Sequence, residues 1–494
     1  MNRYIDAISK EWPQRKDIAL QEYSTGKCVT YQQLDCLIAY IQNYLTLHGL
    51  QKGDHIILMG NSSIQWCATF LAASLLGITI VPISPKTSQE DTECLFKHCD
   101  AKLLAYGRTS TISYSDFTNS LCIDELPIYP EIKHPTILNS IVTEEDIMMI
   151  IYTSGTTDHP KGVMLSYQSI FANLKFGLQN IPLNPGDYIC TFLPLYHCYG
   201  CVYNFLFPLL ARATNILIDC PLTIPNVLHV FKTYCPTIVF AVPLIVEKIA
   251  HIAASKTSSP TEYNKELHRL FGGKVRELLI GGAALKQDIE NGLINAKFPL
   301  GAGYGMTELG PLISYASNAQ HVNGSVGYLI DCLSHQVSDV GELMLKGETL
   351  FSGYYKDSSL TKEVIDKDGW FHTGDIVHLK KDEKGVLVYI IGRIKNMFLG
   401  PNGKNIYPEE IEHKINLLPH VNASLVLYRN QSLVALIHFE SEVPEGSRKQ
   451  LCVEYISRIN SMLPAHMHIS SIEIQQEDFF RTEKGSINRN YYNK

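Results

Sequence analysis

The stretch Tyr152-Thr-Ser-Gly-Thr-Thr-Asp-His-Pro-Lys161-Gly-Val-Met-Leu-Ser166 places hydroxyls, glycines and one lysine in a loop after an apolar segment. Residues 146–152 predict a buried strand that enters the loop, and Ser166 can cap a helix that begins at Tyr167. Backbone N–H groups and hydroxyls in such a loop can donate to phosphate oxygens. The order of residues differs from the Walker pattern, and a polar hairpin tip is the alternative interpretation. The stretch therefore predicts either a polyphosphate site or an ordinary turn.

Size and composition limit the class of protein. A chain of 494 residues with 45% apolar residues predicts two or more domains with ample core. The net charge of −7 and the scattered lysines and arginines provide no basic surface for nucleic acid, so we expect no nucleic-acid partner. The 13 cysteines form no evenly spaced framework and the first residues contain no apolar signal segment, so we expect a cytoplasmic protein.

Two uncharged runs, residues 55–85 and 188–211, are long enough to cross a bilayer on length alone. Polar residues, glycine and proline interrupt both runs. The first run divides into a strand, a helix and a second strand, as in a βαβ unit with a buried helix. We therefore expect at most peripheral contact with a membrane.

The pattern along the chain predicts an α/β fold. Helices alternate with short apolar strands over residues 29–106 and again over 167–300, which is typical of two doubly wound, mostly parallel sheets. Strands over 341–346 and 385–391 predict a small β-barrel-like part. The last hundred residues predict an α+β unit with a helix opened by Pro408, a hairpin, a second helix and a strand. We place an N-terminal domain at residues 1–393 and a C-terminal domain at residues 394–494.

The segment TSGTT followed by PKGV resembles the signature of adenylate-forming enzymes, which include acyl-CoA synthetases, firefly luciferase-like proteins and nonribosomal adenylation domains. Further matches follow in that family's order and span nearly the whole chain: LPLYH at 193–197, GGAAL at 281–285, GYGMTE at 303–308, WFHTGD at 370–375 and GRIK at 392–395. GRIKN followed by NGKNIYPEEIE is most similar to bacterial fatty acyl-CoA synthetases. The resemblance implies that the small C-terminal domain is mobile and swings about residues 392–395.

The resemblance also implies a reaction. A carboxylate resists nucleophilic attack because its leaving group would be an oxide, whereas a mixed anhydride with AMP has a good leaving group. In-line displacement at the α-phosphorus depends on positioning and on neutralising charge. The expected cofactors are ATP, Mg²⁺ and CoA as second substrate, and the expected acid is a fatty acid. The alternatives are an acyl-AMP ligase that loads an acyl carrier protein and a nucleotide-binding regulator that has lost adenylation.

By the same resemblance, the chain has a set of nucleotide contacts. The residues implied to hold the β- and γ-phosphates are Thr153, Ser154, Gly155, Thr156, Thr157 and Lys161. Thr307 and Glu308 lie near the α-phosphate, and Glu308 helps to bind Mg²⁺, which prefers hard oxygen ligands. The residues implied to surround adenine and ribose are Tyr304, which stacks on adenine, the close walls Gly281, Gly282 and Ala283, and the ribose ligands Asp375 and Arg393.

Two further residues are implied to serve the acid and the thiol. His197 matches the residue that gates the carboxylate pocket, although a satisfied core histidine is the alternative. Gly403 matches the loop that lines the approach of the thiol, where a missing side chain leaves room for a pantetheine arm.

The C-terminal motif departs from the family pattern T-x-x-G-K-I-x-R. Residues 482–489 read TEKGSINR, so Ser486 replaces the catalytic lysine. Loss of such a donor costs about 10²- to 10³-fold in rate. In an extended segment Lys484 and Ser486 would point to the same face with Cα atoms about 6.5 Å apart, a distance that a flexible lysine could largely span. Our hypothesis is that Lys484 is the substitute catalytic residue.

Overall fold

The computed structural model describes residues 2–9, 12–108, 112–113, 117, 119–131, 141–153, 161–399, 405–430, 432–481 and 487–492. The helices are α1 Arg3–Ser9, α2 Tyr31–Leu47, α3 Ile64–Leu76, α4 Gln89–His98, α5 Tyr167–Asn180, α6 Phe207–Leu210, α7 Ile224–Tyr234, α8 Pro243–Ala254, α9 Pro260–Leu270, α10 Gln287–Asn295, α11 Ser358–Val364, α12 Pro408–Asn416, α13 Glu445–Ser461 and α14 Arg489–Tyr492. A π-helix, Gly200–Leu206, precedes α6.

The strands belong to several sheets, and their bounds follow in chain order. They are β1 Ile18–Glu22, β2 Cys28–Thr30, β3 His55–Met59, β4 Thr79–Ile83, β5 Ala101–Tyr106, β6 Ser120–Cys122, β7 Ile147–Thr153, β8 Lys161–Ser166, β9 Tyr188–Thr191, β10 Thr214–Leu217, β11 Ile238–Ala241, β12 Glu277–Ile280, β13 Leu300–Gly305, β14 Leu312–Ala316, β15 Tyr328–Leu329, β16 Leu333–Val337, β17 Glu342–Gly347, β18 Phe371–Asp382, β19 Gly385–Arg393, β20 Phe398–Leu399, β21 Asn405–Ile406, β22 Val421–Arg429, β23 Ser432–Phe439 and β24 Ile469–Ile474.

Several sheets that contain parallel strands form the larger part of the molecule. One sheet has the order β6-β5-β3-β4-β7-β8 and is parallel except for the pair β7–β8. A second sheet begins with the parallel strands β11-β12-β13. The antiparallel strands β14 to β19 continue this second sheet, so the β-rich part extends a parallel sheet at its edge. The α/β class is confirmed.

Local sequence signals explain how α3 and α5 begin and end. The Ser63 hydroxyl accepts from the Trp66 N–H and starts α3, and Gly77, with φ of 74°, ends it in the left-handed conformation that glycine adopts without strain. The Ser166 hydroxyl accepts from the Ser169 N–H, so Ser166 is the predicted N-cap of α5. The run 55–85 forms β3, α3 and β4. In the described ranges, no helix combines the length and the apolarity that crossing a bilayer requires.

The C-terminal part forms its own apolar core. Strands β22, β23 and β24 make one sheet, and β22–β23 is the predicted hairpin. Helices α12 and α13 place Ile411, Ile415, Tyr455 and Ile459 in a cluster with the strands. Pro408 occupies the first turn of α12, where its missing N–H has no partner to lose. The α+β character of this part follows the sequence, and the boundary after residue 393 stays a prediction.

Candidate nucleotide-binding site

The two ends of the predicted phosphate-binding stretch lie side by side. Strands β7 and β8 are antiparallel, and Thr153 is paired with Lys161 across them. Lys161 is half-buried, and its ammonium nitrogen lies 5.7 Å from the centre of the Tyr354 ring. The residues predicted between these two ends, Ser154, Gly155, Thr156 and Thr157, lie outside the described residues. The Thr153 hydroxyl and the Lys161 ammonium therefore lie at neighbouring ends of β7 and β8.

Glu308 lies just after β13, in a single helical turn over Thr307–Leu309. Its Oε1 accepts a hydrogen bond of 2.9 Å from the Tyr354 hydroxyl. Thr307 is buried and Glu308 half-buried, so the carboxylate combines a fixed position with access to solvent. Gly305 must lack a side chain, because a Cβ there would overlap the carbonyl oxygen of Pro311. This close turn brings the predicted α-phosphate residues to the end of β13.

Tyr304, Asp375 and Arg393 come together although they are distant in sequence. Asp375 on β18 is paired with Arg393 on β19, and Arg393 Nε lies 2.7 Å from Asp375 Oδ1. The Tyr304 hydroxyl donates to Asp375 Oδ2 over 2.5 Å. The three predicted adenine and ribose ligands are therefore one connected group.

The Asp375 carboxylate is the electrostatic centre of this group. Its side chain is 2% exposed. Burial raises the pKa of the Asp375 carboxyl, and the Arg393 charge and the Tyr304 hydroxyl offset part of this rise. Among the described residues, none donates a well-aligned hydrogen bond to Oδ1, although Arg393 is close to it. Oδ1 is paired with the Arg393 guanidinium, and a carboxylate oxygen can accept a further hydrogen bond from a sugar hydroxyl.

The glycine-rich segment after β12 lies next to this group. Strand β12 is parallel to β13, so residues 281–283 follow the carboxyl end of the strand beside the one that carries Tyr304. A Cβ on Gly281 would lie 3.3 Å from the Gly303 carbonyl oxygen and 3.4 Å from the Tyr199 ring, so this wall has little spare room. Gly282 and Ala283 are exposed. Open α/β sheets bind ligands at this edge, outside the carboxyl ends of their strands.

His197 precedes the π-helix Gly200–Leu206. It is half-buried, and its ring centre lies 4.6 Å from that of Tyr196. Its carbonyl accepts from the Cys201 N–H over 2.9 Å, which fixes the backbone at the start of the π-helix. Two residues further on, the Tyr199 ring lies 3.4 Å from the position that a Cβ on Gly281 would occupy. His197 is therefore close in sequence to a residue of the site, and its predicted gating role stays a prediction.

Sequence reasoning missed two residues of this region. Loss of hydration and then the charge of Arg393 lower the pKa of the Lys395 ammonium, and Lys161 lowers it further. The Asp375 and Glu409 carboxylates raise the pKa of Lys395 in part, so its ammonium lies among charges of both signs. Lys395 occurs in the GRIK motif, which was a signal that could have found it. Tyr354 lies outside the motifs quoted from the sequence.

The predicted positions of Gly403 and Lys484, and that of Ser486, lie outside the described residues. The described donors fit a magnesium nucleotide. Oxygen ligands suit Mg²⁺, which usually takes one or two protein carboxylates and completes its shell with water and phosphate. Within the described ranges, no group of three or more metal-ligating side chains forms a cage. Glu308 with phosphate oxygens would suffice for Mg²⁺, and Asp375 Oδ1 would suit a ribose hydroxyl.

Comparisons with known proteins agree with this fold. A 4-coumarate–CoA ligase of Humulus lupulus is 26% identical over 442 residues, which cover 82% of this chain and 77% of that protein. ATP-bound MatB of Rhodopseudomonas palustris superimposes with a TM-score of 0.82 at 22% identity, covering 100% of this chain and 98% of the other. A fatty acyl CoA synthetase of Mycobacterium tuberculosis superimposes with a TM-score of 0.73 at 22% identity over the same shares.

The family assignment rests on sequence models. The model described as AMP-binding enzyme matches residues 9–355, and the one described as AMP-binding enzyme C-terminal domain matches residues 397–494. Adenylate-forming CoA ligases use ATP, Mg²⁺ and CoA, the cofactors expected from the sequence. The chain belongs to the AMP-binding enzyme family.

Proposed function

We propose that this protein is an AMP-forming acid–CoA ligase. In the first reaction an oxygen of the acid's carboxylate attacks the α-phosphorus of ATP, the bond to the bridging oxygen breaks, and pyrophosphate leaves. In the second reaction the CoA thiolate attacks the acyl carbon, and AMP leaves as the acyl thioester forms. The observation that carries the proposal is the convergence of Tyr304, Asp375 and Arg393 at the strand ends beside Glu308.

Each side chain is assigned a role according to its position. Asp375 Oδ1 and Arg393 would hold the ribose hydroxyls, and the Tyr304 ring would lie against adenine. Burial and then the Asp375 charge raise the pKa of the Tyr304 phenol, so its hydroxyl stays protonated and keeps donating to Asp375. Lys161 with Thr153 would bind the β- and γ-phosphates. Bound to Glu308 and phosphate oxygens, Mg²⁺ would neutralise charge that develops during displacement.

We propose that the acid binds near His197, beside the nucleotide. The fatty acid remains the first candidate, because GRIKN and NGKNIYPEEIE are most similar to fatty acyl-CoA synthetases. The curated relative is named for 4-coumarate, so aryl acids belong in the same test. The pantetheine arm of CoA would approach past Gly403.

A second candidate function is a nucleotide-binding regulator without adenylation activity. Ser486 in place of the catalytic lysine favours it. A third candidate, loading of an acyl carrier protein, uses the same first reaction and differs in the thiol that consumes the adenylate. The curated relative is a CoA ligase by name, which supports CoA as the acceptor in our proposal.

The deciding experiment measures acid-dependent pyrophosphate release from MgATP. The acids run from acetate to palmitate with 4-coumarate added, each with CoA, with a phosphopantetheinylated carrier protein, or with no thiol. We expect pyrophosphate release with at least one acid and thioester formation with CoA. Retained ATP binding without pyrophosphate release from any acid would favour the regulator. Glu308→Gln serves as the impaired control, because it removes the charge offered to Mg²⁺.

A further inference from the structure

Residues 351–355, called here the 351–355 segment, extend the edge of the sheet that carries Lys161. The Ser352 N–H donates to the Met164 carbonyl over 2.9 Å, and the Met164 N–H donates back to the Gly353 carbonyl over 3.0 Å. The Tyr355 N–H donates to the Gly162 carbonyl over 2.8 Å. These bonds fix the segment against β8, the strand that begins at Lys161.

The same segment holds Glu308 through two hydrogen bonds. The Phe351 N–H donates to the Glu308 carbonyl oxygen over 2.9 Å, and the Tyr354 hydroxyl donates to Glu308 Oε1 over 2.9 Å. One bond holds the backbone and the other holds the carboxylate, so both the position and the side-chain rotamer of Glu308 are constrained. The Glu308 side chain therefore depends on a segment 46 residues away in sequence.

Tyr354 is suited to this role by its own surroundings. It is 6% exposed, and its ring centre lies 4.9 Å from that of Phe351. The Tyr354 backbone N–H donates a hydrogen bond of 2.9 Å to the Thr361 hydroxyl. Lys161 Nζ lies 5.7 Å from the ring centre, within the range of a cation–π contact. The phenol thus lies between a carboxylate and an ammonium that our proposed function assigns to one nucleotide.

We propose that Tyr354 is a positioning residue for the magnesium nucleotide, whose hydroxyl orients the Glu308 carboxylate toward Mg²⁺ while its ring holds Lys161 beside the phosphates. This inference rests on the proposed function, because that function supplies the nucleotide. The hydroxyl leaves the other lone pairs of the carboxylate available to the metal. A tyrosine phenol ordinarily has a pKa of about 10, so the hydroxyl is a donor at neutral pH.

The test is Tyr354→Phe, which keeps the ring contacts with Phe351 and Lys161 and removes only the donor. Tyr355→Phe is the matched control, because the Tyr355 hydroxyl also donates to a carboxylate, Asp100 Oδ2, over 2.9 Å. Calorimetric ATP affinity and the rate of pyrophosphate release are each measured over a series of free Mg²⁺ concentrations. Thermal unfolding is recorded for each variant to compare stabilities.

Tyr354→Phe should raise the half-saturating Mg²⁺ concentration by about tenfold, the loss expected for a hydrogen bond to a charged group. The KM for the acid should stay within about twofold, because the Tyr354 hydroxyl is proposed to act on the Mg²⁺ ligand Glu308 and not on the acid. Tyr355→Phe should reproduce the wild-type Mg²⁺ dependence. Adding Tyr354→Phe to Glu308→Gln should cause little further change, because the two residues act as one unit.

An unchanged Mg²⁺ dependence in Tyr354→Phe would overturn the inference, and so would an equal change in Tyr355→Phe, which would indicate a general effect of packing in the segment. ATP affinity that is independent of Mg²⁺ in the wild type would also overturn it. The binding measurement separates this inference from the proposed function. If no acid gives pyrophosphate release, the proposed function fails, and the comparison of Mg²⁺-dependent ATP binding still decides the role of Tyr354.

Discussion

Replacing Asp375 with asparagine distinguishes the contribution of this side chain to nucleotide binding from its contribution to stability. The change keeps an acceptor for the Tyr304 hydroxyl and removes the negative charge from a side chain that is 2% exposed. A hydrogen bond to a charged group contributes about 1.5–3 kcal/mol, so weakening the ribose contact at Oδ1 should lower ATP affinity by about tenfold to a hundredfold. Arg393 loses its partner but is exposed, so its loss should cost the fold little.

The direction in which pH changes the stability of this variant, relative to wild type, can also be predicted. The folded-state pKa of Asp375 is raised, mainly by burial, so the folded protein holds this proton more tightly than the unfolded chain. The contribution of Asp375 to stability is therefore complete below its unfolded pKa, and it is lost as the pH rises through the folded pKa. The substituted asparagine has no carboxyl proton to lose. The free energy of unfolding of the variant should therefore rise relative to wild type as the pH increases through this window.

The assay combines calorimetric ATP affinity at fixed Mg²⁺ with denaturant unfolding at several pH values. Asp382→Asn is the matched control, because Asp382 lies on the same strand and accepts from a tyrosine hydroxyl, that of Tyr328, over 2.9 Å. It should leave ATP affinity unchanged. ATP affinity of Asp375→Asn within twofold of wild type would refute the ribose assignment. A large loss of stability at every pH would show that the carboxylate serves the fold instead.

Other predictions concern the C-terminal motif and buried carboxylates. Lys484→Ala should lower acid-dependent ATP/pyrophosphate exchange, and Ser486→Lys should raise it by up to about 10²-fold; unchanged exchange in the first variant would reject the substitution hypothesis. Arg489→Ala should lower the free energy of unfolding by about 3–5 kcal/mol, measured with denaturant, because Arg489 pairs with the Glu412 carboxylate, whose side chain is 12% exposed. Burial raises the pKa of Glu277 to about 7, so Glu277→Gln should remove a loss of stability that wild type shows as the pH rises toward 7; parallel pH–stability curves would contradict this.

Elements with local signals were predictable from the sequence. The apolar run 146–152 corresponds to β7, Ile147–Thr153, and Ser166 and Pro408 begin helices where their chemistry favours it. These signals are local because a cap or a buried strand is decided within a few residues. The antiparallel extension of the second sheet was less predictable, because pairing between β13 and β14 depends on contacts that periodicity does not encode.

The candidate site shows the same difference between features with local sequence signals and features that depend on long-range contacts. The glycine and carboxylate motifs predicted Tyr304, Asp375 and Arg393, and the structure brings them together. The bond between Tyr354 and Glu308 joins residues 46 positions apart, and neither hydrophobic pattern nor turn chemistry identifies such a partner. The electrostatic effect of Lys161 on Lys395 depends on the fold, because the two residues belong to segments that are distant in sequence.

Asp375 and Arg393, the proposed ribose ligands, lie at the junction between the predicted domains. Arg393 ends β19, and Asn396, three residues later, donates to Glu409 Oε1 of α12. A Cβ on Gly392 would lie 2.8 Å from Glu409 Oε2, so a larger residue there would displace this carboxylate. A movement of α12 relative to β19 must therefore change the surroundings of Arg393, which contacts Asp375. If the C-terminal part moves between the two half-reactions as the sequence predicts, the ribose contact is where that motion and nucleotide binding are coupled.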